Sequence, residues 1–279
     1  MNRLDEILRV KRDAIEKLRP RRGELHKGAL LRNDFRGFAA ALRQGQGKVA
    51  LIAEIKKASP SAGVIAEHFD PVAIANNYAR AGVDAISVLT DEPFFQGHLD
   101  HLRLIRDAVG QPLLRKDFIL DPLQIMEAAA AGADAILLIV AALDQDQLVA
   151  LLETAALYQL DVMVEVHTLP ELDRALDTEA TIIGVNNRDL RTFRTSLKTS
   201  ECLIAEAPRD RIMISESGLQ NSKSLRHLRA LGFRGFLVGD ALMRAPDPEA
   251  ALRDFIAGAE DVKEPRQATM ASDTDALQV

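Results

Sequence analysis

Ala81-Gly82-Val83-Asp84-Ala85-Ile86 reappears as Ala131-Gly132-Ala133-Asp134-Ala135-Ile136, and more loosely as Leu231-Gly232-Phe233-Arg234-Gly235-Phe236. In each copy a helical pattern stops at glycine, and a short turn feeds an apolar run that reads as a strand. Working outward from these copies, short runs rich in Val, Ile and Leu occupy residues 49–55, 85–90, 113–118, 135–140, 162–166, 182–186, 212–217 and 235–239. These make eight strands at intervals of roughly 20 to 36 residues, enough for a strand, a loop and a returning helix. Runs this nearly continuous suit parallel strands covered on both faces.

The segments between the runs carry helix signals. Asp70-Pro71 reads as an N-cap and a first-turn proline ahead of Ile74, Tyr78 and Ala79, and Asp121-Pro122 repeats the device before Ile125 and Ala128. Asp144 precedes Leu148, Leu151 and Leu152, spaced for one helical face. Eight such units without a linker between them predict a (β/α)8 TIM barrel. An open doubly wound sheet is the alternative, but the glycine fingerprint expected after its first strand is absent.

The predicted barrel spans residues 47–260. Residues 1–46 form an N-terminal helical extension, in which Leu4, Ile7, Leu8, Ile15 and Leu18 mark an amphipathic helix. Phe35 and Phe38 open a second helix running to Arg43, and either helix can cover the bottom or side of the barrel or reach over its active face. Residues 261–279 are polar and aperiodic and are expected to be disordered.

Composition narrows the function. The 279 residues include 35 Lys and Arg against 41 Asp and Glu, a formal net charge of -6, which disfavours a broad nucleic-acid surface while leaving room for a local anion pocket. One cysteine, Cys202, permits neither an intramolecular disulfide nor a cysteine-rich metal site, and argues for a reducing compartment. The charged N-terminus is not a secretory signal, and no apolar run approaches the ~18–20 residues of a membrane span. A cytoplasmic protein without membrane partners is the expectation.

Barrel chemistry sits at the C-terminal ends of the strands, and residues two apart share a face. The first strand ends in Glu54 and Lys56, the third in Lys116, the fifth carries Glu165, the sixth gives Asn186 and then Arg188, and the seventh gives Glu216. Each alone is equally well a structural salt bridge. Together, two lysines and three glutamates at one end describe an active site, because Lys–Glu proximity tunes acids and bases. Ser217-Gly218 after the seventh strand and Gly239-Asp240 after the eighth suit a phosphate held by backbone N–H groups, although Gly239-Asp240 is equally a turn and an N-cap. Asp240 is expected to offer only its N–H, since an inward carboxylate would repel the anion, and Lys56 to supply positive charge from across the barrel.

These residues resemble a known family. Leu51-Ile52-Ala53-Glu54-Ile55-Lys56-Lys57-Ala58-Ser59-Pro60-Ser61 is similar to the first-strand signature of the indole-3-glycerol phosphate synthases. Leu114-Arg115-Lys116-Asp117-Phe118-Ile119, Val164-Glu165-Val166-His167, Gly184-Val185-Asn186-Asn187-Arg188-Asp189-Leu190, Ser215-Glu216-Ser217-Gly218 and Leu237-Val238-Gly239 follow in family order, the match running to about residue 258. The family usually has a lysine after Ser-Pro-Ser, where this chain has Ala62.

The resemblance implies a carboxy-lyase of tryptophan biosynthesis that converts 1-(2-carboxyphenylamino)-1-deoxyribulose 5-phosphate to indole-3-glycerol phosphate, carbon dioxide and water, with no metal and no organic cofactor. It implies Lys116 as general acid, Glu165 as general base, and Lys56, beside Glu54, as the lysine that meets substrate anions and assists dehydration. Asn186, Arg188 and Glu216 resemble the polar set that orients the substrate. Ser217, Gly218, Gly239 and Asp240 resemble the phosphate loop, and Ser59 and Pro60 the mobile first loop. Leu237 falls in the eighth-strand motif and is grouped with the substrate-binding residues. Phe94, Phe118 and Leu137 are candidate walls for the anthranilate ring, or ordinary packing at the barrel mouth. Other enzymes of the tryptophan pathway are the candidate macromolecular partners.

Other features read as structural. His98 and His101 suit an exposed helical pair, and His167 suits the pocket edge without metal ligation. Cys202, beside Leu203 and Ile204, suits a packed thiol. The basic run Arg19, Arg21, Arg22 and Lys27 suits a solvated linker. Two rivals stay open: another phosphate-binding barrel, such as phosphoribosylanthranilate isomerase, and a barrel that binds a phosphorylated metabolite without turnover. The first does not account for Glu54-x-Lys56 with Ser59-Pro60, and the second does not need Lys116 and Glu165.

Overall fold

In the computed structural model, which describes residues 3–43, 48–189, 192 and 194–260, the eight apolar runs are strands. They are β1 (Ala50–Ile55), β2 (Ala85–Leu89), β3 (Leu113–Lys116), β4 (Ala135–Ile139), β5 (Asp161–Val166), β6 (Ile182–Asn186), β7 (Ile212–Glu216) and β8 (Gly235–Val238). Each strand pairs in parallel with its neighbours in sequence, and β8 closes on β1 through Leu51↔Phe236 and Ile52↔Leu237. The predicted (β/α)8 barrel is therefore the fold, and the open sheet is excluded. Several strands stop earlier than the apolar runs, which leaves Thr90, Phe118, Ser217 and Gly239 in the loops that build the mouth.

The repeated turn has a physical basis. Asp84 accepts a hydrogen bond from the Leu51 N–H of β1 at 2.7 Å, and Asp134 accepts one from the Leu113 N–H of β3 at 2.8 Å. Each aspartate satisfies a strand N–H at the closed end of the barrel, so the residue type recurs with the turn. Gly82 and Gly132 adopt left-handed φ of 87° and 96°, which ends the helix before each turn.

The N-terminal residues form α1 (Arg3–Leu18), α2 (Arg22–Leu31) and α3 (Phe38–Leu42). The barrel crossovers and loops add α4 (Pro71–Ala81), α5 (Glu92–Phe95), α6 (Leu99–Ala108), α7 (Pro122–Ala130), α8 (Gln145–Leu157), α9 (Leu169–Leu176), α10 (Lys198–Ile204), α11 (Ser222–Leu231), α12 (Asp240–Met243) and α13 (Pro248–Glu260). Asp70, Asp121 and Asp144 cap α4, α7 and α8 as their positions predict, the last two in capping boxes with Gln124 and Gln147.

Three expectations are corrected. The basic run is not a linker: Arg19–Arg21 is a helical turn and Arg22 opens α2, with Arg19 and Arg21 paired to Glu16 and Glu24. The second helix begins at Phe38, because Gly37 takes φ 63° and breaks the chain away from Phe35. Cys202 is exposed, since Leu203 takes the buried face of α10. The expected disordered tail, residues 261–279, lies outside the described residues.

Inward side chains form one apolar cluster and outward side chains, with the helices, form another. At the N-terminal end the inward positions Ala50, Ala85 and Ala135 are small, and Phe38 and Leu42 of α3 pack with them. At the other end Leu4, Ile7 and Leu8 of α1 join Phe118 and Ile139 in the same cluster. The extension thus touches both ends of the barrel. Among the described residues no helix is long and apolar enough to cross a membrane.

Candidate active site

Strand alternation carries the inner face from apolar to ionised. Ile52, Leu114, Met163 and Ile214 lie in the barrel interior, and two residues on come Glu54, Lys116, Glu165 and Glu216. Lys116 Nζ is 3.0 Å from Glu165 and 3.0 Å from Glu216, at the floor of a cleft. Burial opposes the lysine's charge, but the Glu165, Glu216 and Glu54 carboxylates outweigh it and hold Lys116 above its ordinary range.

The two glutamates diverge. Burial raises both, but Lys116 and His167 bring Glu165 well below the usual carboxylate range. Glu216 is pushed up to about 7, first by burial and then by the neighbouring Glu165 and Glu54 charges, which Lys116 only partly offsets. The site therefore pairs a permanent carboxylate with one that takes a proton near neutrality. Room for Glu216 comes from Gly184 of β6, where a Cβ would collide with Glu216 Oε1.

The second charged group lies towards β8. Lys56 Nζ is 2.7 Å from Glu54 and 2.7 Å from Asp240, and Arg188 is 3.0 Å from Asp240. Asp240 thus points its carboxylate inward, contrary to the expectation that it offers only an N–H. Burial works against that charge, but Lys56 and Arg188 hold it ionised. Ser217, Gly218, Leu237, Gly239 and Asp240 line this end together with Lys56 and Arg188. Ser217 and Gly218 take left-handed φ of 64° and 76°, and a Cβ at 218 would come within 2.7 Å of Thr195. Gly239 does more than admit a ligand: a Cβ there would collide with Glu54 Oε1.

Towards β2–β4 the cleft is apolar. Phe118, Leu137, Ile139 and Leu89 line it with Phe95, and Leu4 and Ile7 of α1 close over it. Ser59, Pro60 and Ser61 border it from the first loop, a short hairpin in which Ala58–Ser59 pairs with Gly63–Val64. Arg188 donates to Ser61 Oγ at 2.9 Å, joining that loop to the β6 loop, and the Arg188 N–H donates to Asn186 Oδ1. Of the candidate ring walls, Phe118 and Leu137 line the cleft and Phe94 does not. Phe94 lies under the Arg3 guanidinium, 5.5 Å from the ring centre, and its neighbour Phe95 takes the lining position.

His167 stands beside Glu165, 3.3 Å from it and 3.1 Å from Glu171, rather than at the cleft surface. Burial disfavours its charge, but hydrogen bonds to both glutamates raise it to about 10, so it is a cation next to Glu165 at neutral pH. Asn187 Nδ2 donates to the Ser215 hydroxyl and to the Glu216 and Ser217 carbonyls, which fixes the β6 loop against β7. Among the described residues no cluster of three or more His, Cys, Asp or Glu is arranged to hold a metal ion. Residues that the motifs did not single out are Leu4, Ile7, Phe95 and His167's partner Glu171. The first two had a signal, since they already defined the apolar stripe of α1.

A family model described as indole-3-glycerol phosphate synthase matches residues 4–255. A protein of that name from Acidithiobacillus ferrooxidans is 49% identical over 254 residues, covering 90% of this chain and 97% of its own length. Those from Bordetella pertussis and Leptothrix cholodnii are 48% and 46% identical over 258 residues, each covering 91% of this chain and 98% of its own. Among solved structures, 3-hexulose-6-phosphate synthase from Salmonella typhimurium superposes with a TM-score of 0.62 at 15% identity, covering 75% of this chain and 98% of its own. N-(5'-phosphoribosyl)anthranilate isomerase from Pyrococcus furiosus superposes with a TM-score of 0.54 at 15% identity, covering 77% of this chain and all of its own (100%). At such identities the structural likeness is one of fold alone.

Proposed function

The chain belongs to the indole-3-glycerol phosphate synthase family, and we propose that Lys116, Glu165 and Lys56 carry its chemistry. The reaction is that of a carboxy-lyase in tryptophan biosynthesis. In 1-(2-carboxyphenylamino)-1-deoxyribulose 5-phosphate the aromatic carbon bearing the carboxylate attacks the ribulose carbonyl. Carbon dioxide leaves and aromaticity returns; the new hydroxyl then leaves as water and a last proton is removed, giving indole-3-glycerol phosphate.

Those steps ask for an acid at the carbonyl oxygen, a base for the last proton and a hold on the phosphate. Lys116 is the acid in this reading, since its side chain lines both the apolar and the charged part of the cleft and is paired with Glu165, the proposed base. Glu165, kept ionised by Lys116 and His167, is the base. Lys56, flanked by Glu54, meets the substrate anions and assists loss of the hydroxyl. Glu216 sets the charge balance around Lys116: protonated near neutrality, it leaves the ammonium freer to turn towards the substrate oxygen. The aryl ring lies on Phe118, Leu137 and Phe95, oriented from the other side by Asn186 and Arg188.

The phosphate takes the end lined by Ser217, Gly218, Leu237 and Gly239. Asp240 complicates that end, and in this reading the phosphate takes over Lys56 and Arg188 as the carboxylate swings aside. Ser59 and Pro60 close over the substrate and exclude water. Enzymes acting immediately before and after in the same pathway are the proposed protein partners, and the cytoplasm the proposed location.

The observation that carries this assignment is Lys116 hydrogen-bonded to Glu165 and 3.0 Å from Glu216 between the two walls of one cleft. Its test is indole fluorescence on mixing the purified chain with the substrate in EDTA. Turnover is expected to be unaffected by the chelator, and Lys116→Ala to lose about 100-fold or more in kcat while inorganic phosphate inhibits it as it does the parent. Full turnover by Lys116→Ala would remove Lys116 from the acid role.

A further inference from the structure

Lys11 lies in the apolar stripe of α1, in register with Leu4, Ile7 and Ile15, yet it is a buried charge. Its Nζ is 2.8 Å from Asp91 Oδ2 and 2.6 Å from Asp117 Oδ1. Neither aspartate belongs to the reacting set, and both are buried. Each nonetheless carries a wall of the apolar compartment. Asp91 caps α5 by accepting the Phe94 N–H at 2.9 Å, and α5 ends at Phe95. Asp117 follows Lys116 directly and accepts the Phe118 N–H at 2.8 Å. The Phe95 and Phe118 rings meet with centres 6.3 Å apart. One ammonium from the N-terminal extension thus joins the two carboxylates on which the two aromatic walls are mounted.

We propose that Lys11 is a positioning residue for the ring closure: it fixes the spacing of Phe95 and Phe118, and with it the placement of the aryl ring over Lys116. The surrounding charges show why a lysine is needed there. Arg115 pairs with Asp117 at 3.1 Å and with Glu127 at 2.9 Å, and Thr90 donates to Asp117, so Asp117 keeps partners without Lys11. Asp91 has a backbone N–H on Oδ1, and Lys11 on Oδ2. Removing the ammonium leaves two neighbouring buried carboxylates with one guanidinium already shared with Glu127, and their repulsion pushes α5 away from β3. The same helix supplies Leu4 and Ile7 to the compartment, so the pin also seats the lid that it belongs to. The inference rests on the proposed reading of this compartment as the aryl site.

The experiment compares Lys11→Met, Lys11→Arg and Asp91→Asn with the parent by steady-state kinetics on the full substrate, competitive inhibition by inorganic phosphate, and thermal melting. Misplacing the ring is expected to raise KM and lower kcat about tenfold each in Lys11→Met, with the phosphate inhibition constant unchanged. Lys11→Arg should recover most of the loss. Asp91→Asn, which keeps the cap but not the charge, should raise KM at nearly unchanged melting temperature. A folded Lys11→Met with parental kcat and KM and only a lower melting temperature would overturn the proposal. So would a phosphate inhibition constant that rises in step with KM. Should Lys11→Met not fold, parental kinetics in Asp91→Asn overturns it instead. Phe95→Ala tests the underlying reading separately: parental KM there means that the ring lies elsewhere, and both fall.

Discussion

Gly184 and Gly239 face the barrel axis opposite Glu216 and Glu54, and a Cβ at either position would strike a carboxylate oxygen. Gly184→Ala should displace Glu216 from Lys116 and lower kcat about tenfold or more, with a smaller effect on phosphate inhibition because Gly184 lies away from that end. Parental kinetics would show that the carboxylate has somewhere else to go. His167 makes a second residue-scale prediction. Its folded value is about 10 against an ordinary 6.5, so its contribution to stability is complete below pH 6.5 and is lost as pH rises towards 10. Glu216, raised from 4.5 to about 7, loses its contribution as pH rises through that lower window, so the range above pH 7 isolates the histidine. Urea melts at about pH 7 and about pH 9 should show the parent losing on the order of 1 kcal/mol or more, and His167→Asn losing less. The ionised residues themselves were legible in the sequence, because strand parity puts Glu54 with Lys56 and Leu114 with Lys116. What parity does not reveal is a cross-strand fit such as Gly184 with Glu216, or which neighbour in a one-turn helix faces the cleft, as with Phe94 and Phe95.

Asp134 shows how one turn residue ties several elements together. It accepts from the Leu113 N–H of β3, from the Arg36 N–H at 3.0 Å, and pairs with Arg32 at 2.6 Å and Arg106 of α6 at 2.7 Å. Arg106 reaches on to Asp34, and Arg36 donates to the Arg106 and Gln111 carbonyls. The segment between α2 and α3 is therefore nailed to the closed end of the barrel by a buried ion network. Asp134→Ala leaves two buried guanidiniums without their shared carboxylate and should cost about 3–5 kcal/mol in chemical unfolding. A loss under about 1 kcal/mol would show that Asp34 and backbone carbonyls suffice. Of this network the sequence disclosed only that the turn repeats; its partners Arg32, Arg36 and Arg106 are brought in from segments 28 to 102 residues away in sequence. The helix α2 was hidden for a different reason. It follows Arg19-Pro20-Arg21 and opens on Arg22-Gly23, and Leu25 and Ala29 are its buried residues, so no apolar stripe announces it. Lys11 had the opposite fate: the stripe was visible, and a charge inside it was the signal of a buried partner.

Across the whole molecule, the extension acts at both ends of one barrel. Its α3 packs Phe38 and Leu42 among the inward alanines Ala50, Ala85 and Ala135, where strand side chains alone are too small to fill the closed end. Its α1 lies over the open end, supplies Leu4 and Ile7 to the compartment beside Lys116, and pairs Lys11 with the Asp91 and Asp117 carboxylates. Stability and function therefore divide along the same short segment. A chain beginning at residue 19 keeps the plug and the Asp134 network, and the carboxylates of Asp91 and Asp117 that it uncovers gain water in place of Lys11. It should melt cooperatively, bind inorganic phosphate as the parent does, and show KM for the full substrate raised about tenfold or more. A chain beginning at residue 44 loses Phe38 and Leu42 together with Arg32 and Arg36, opening a cavity at the barrel floor and leaving Asp134 with only Arg106 and the Leu113 N–H. Removing two large buried side chains alone costs about 4–10 kcal/mol, comparable with the whole stability of a typical domain, so this chain should lose its cooperative transition altogether. Calorimetry on the two truncations decides the matter. Equal loss of the transition in both would mean that α1 too is needed for folding, and a cooperative melt in the shorter chain would mean that the barrel closes its own floor.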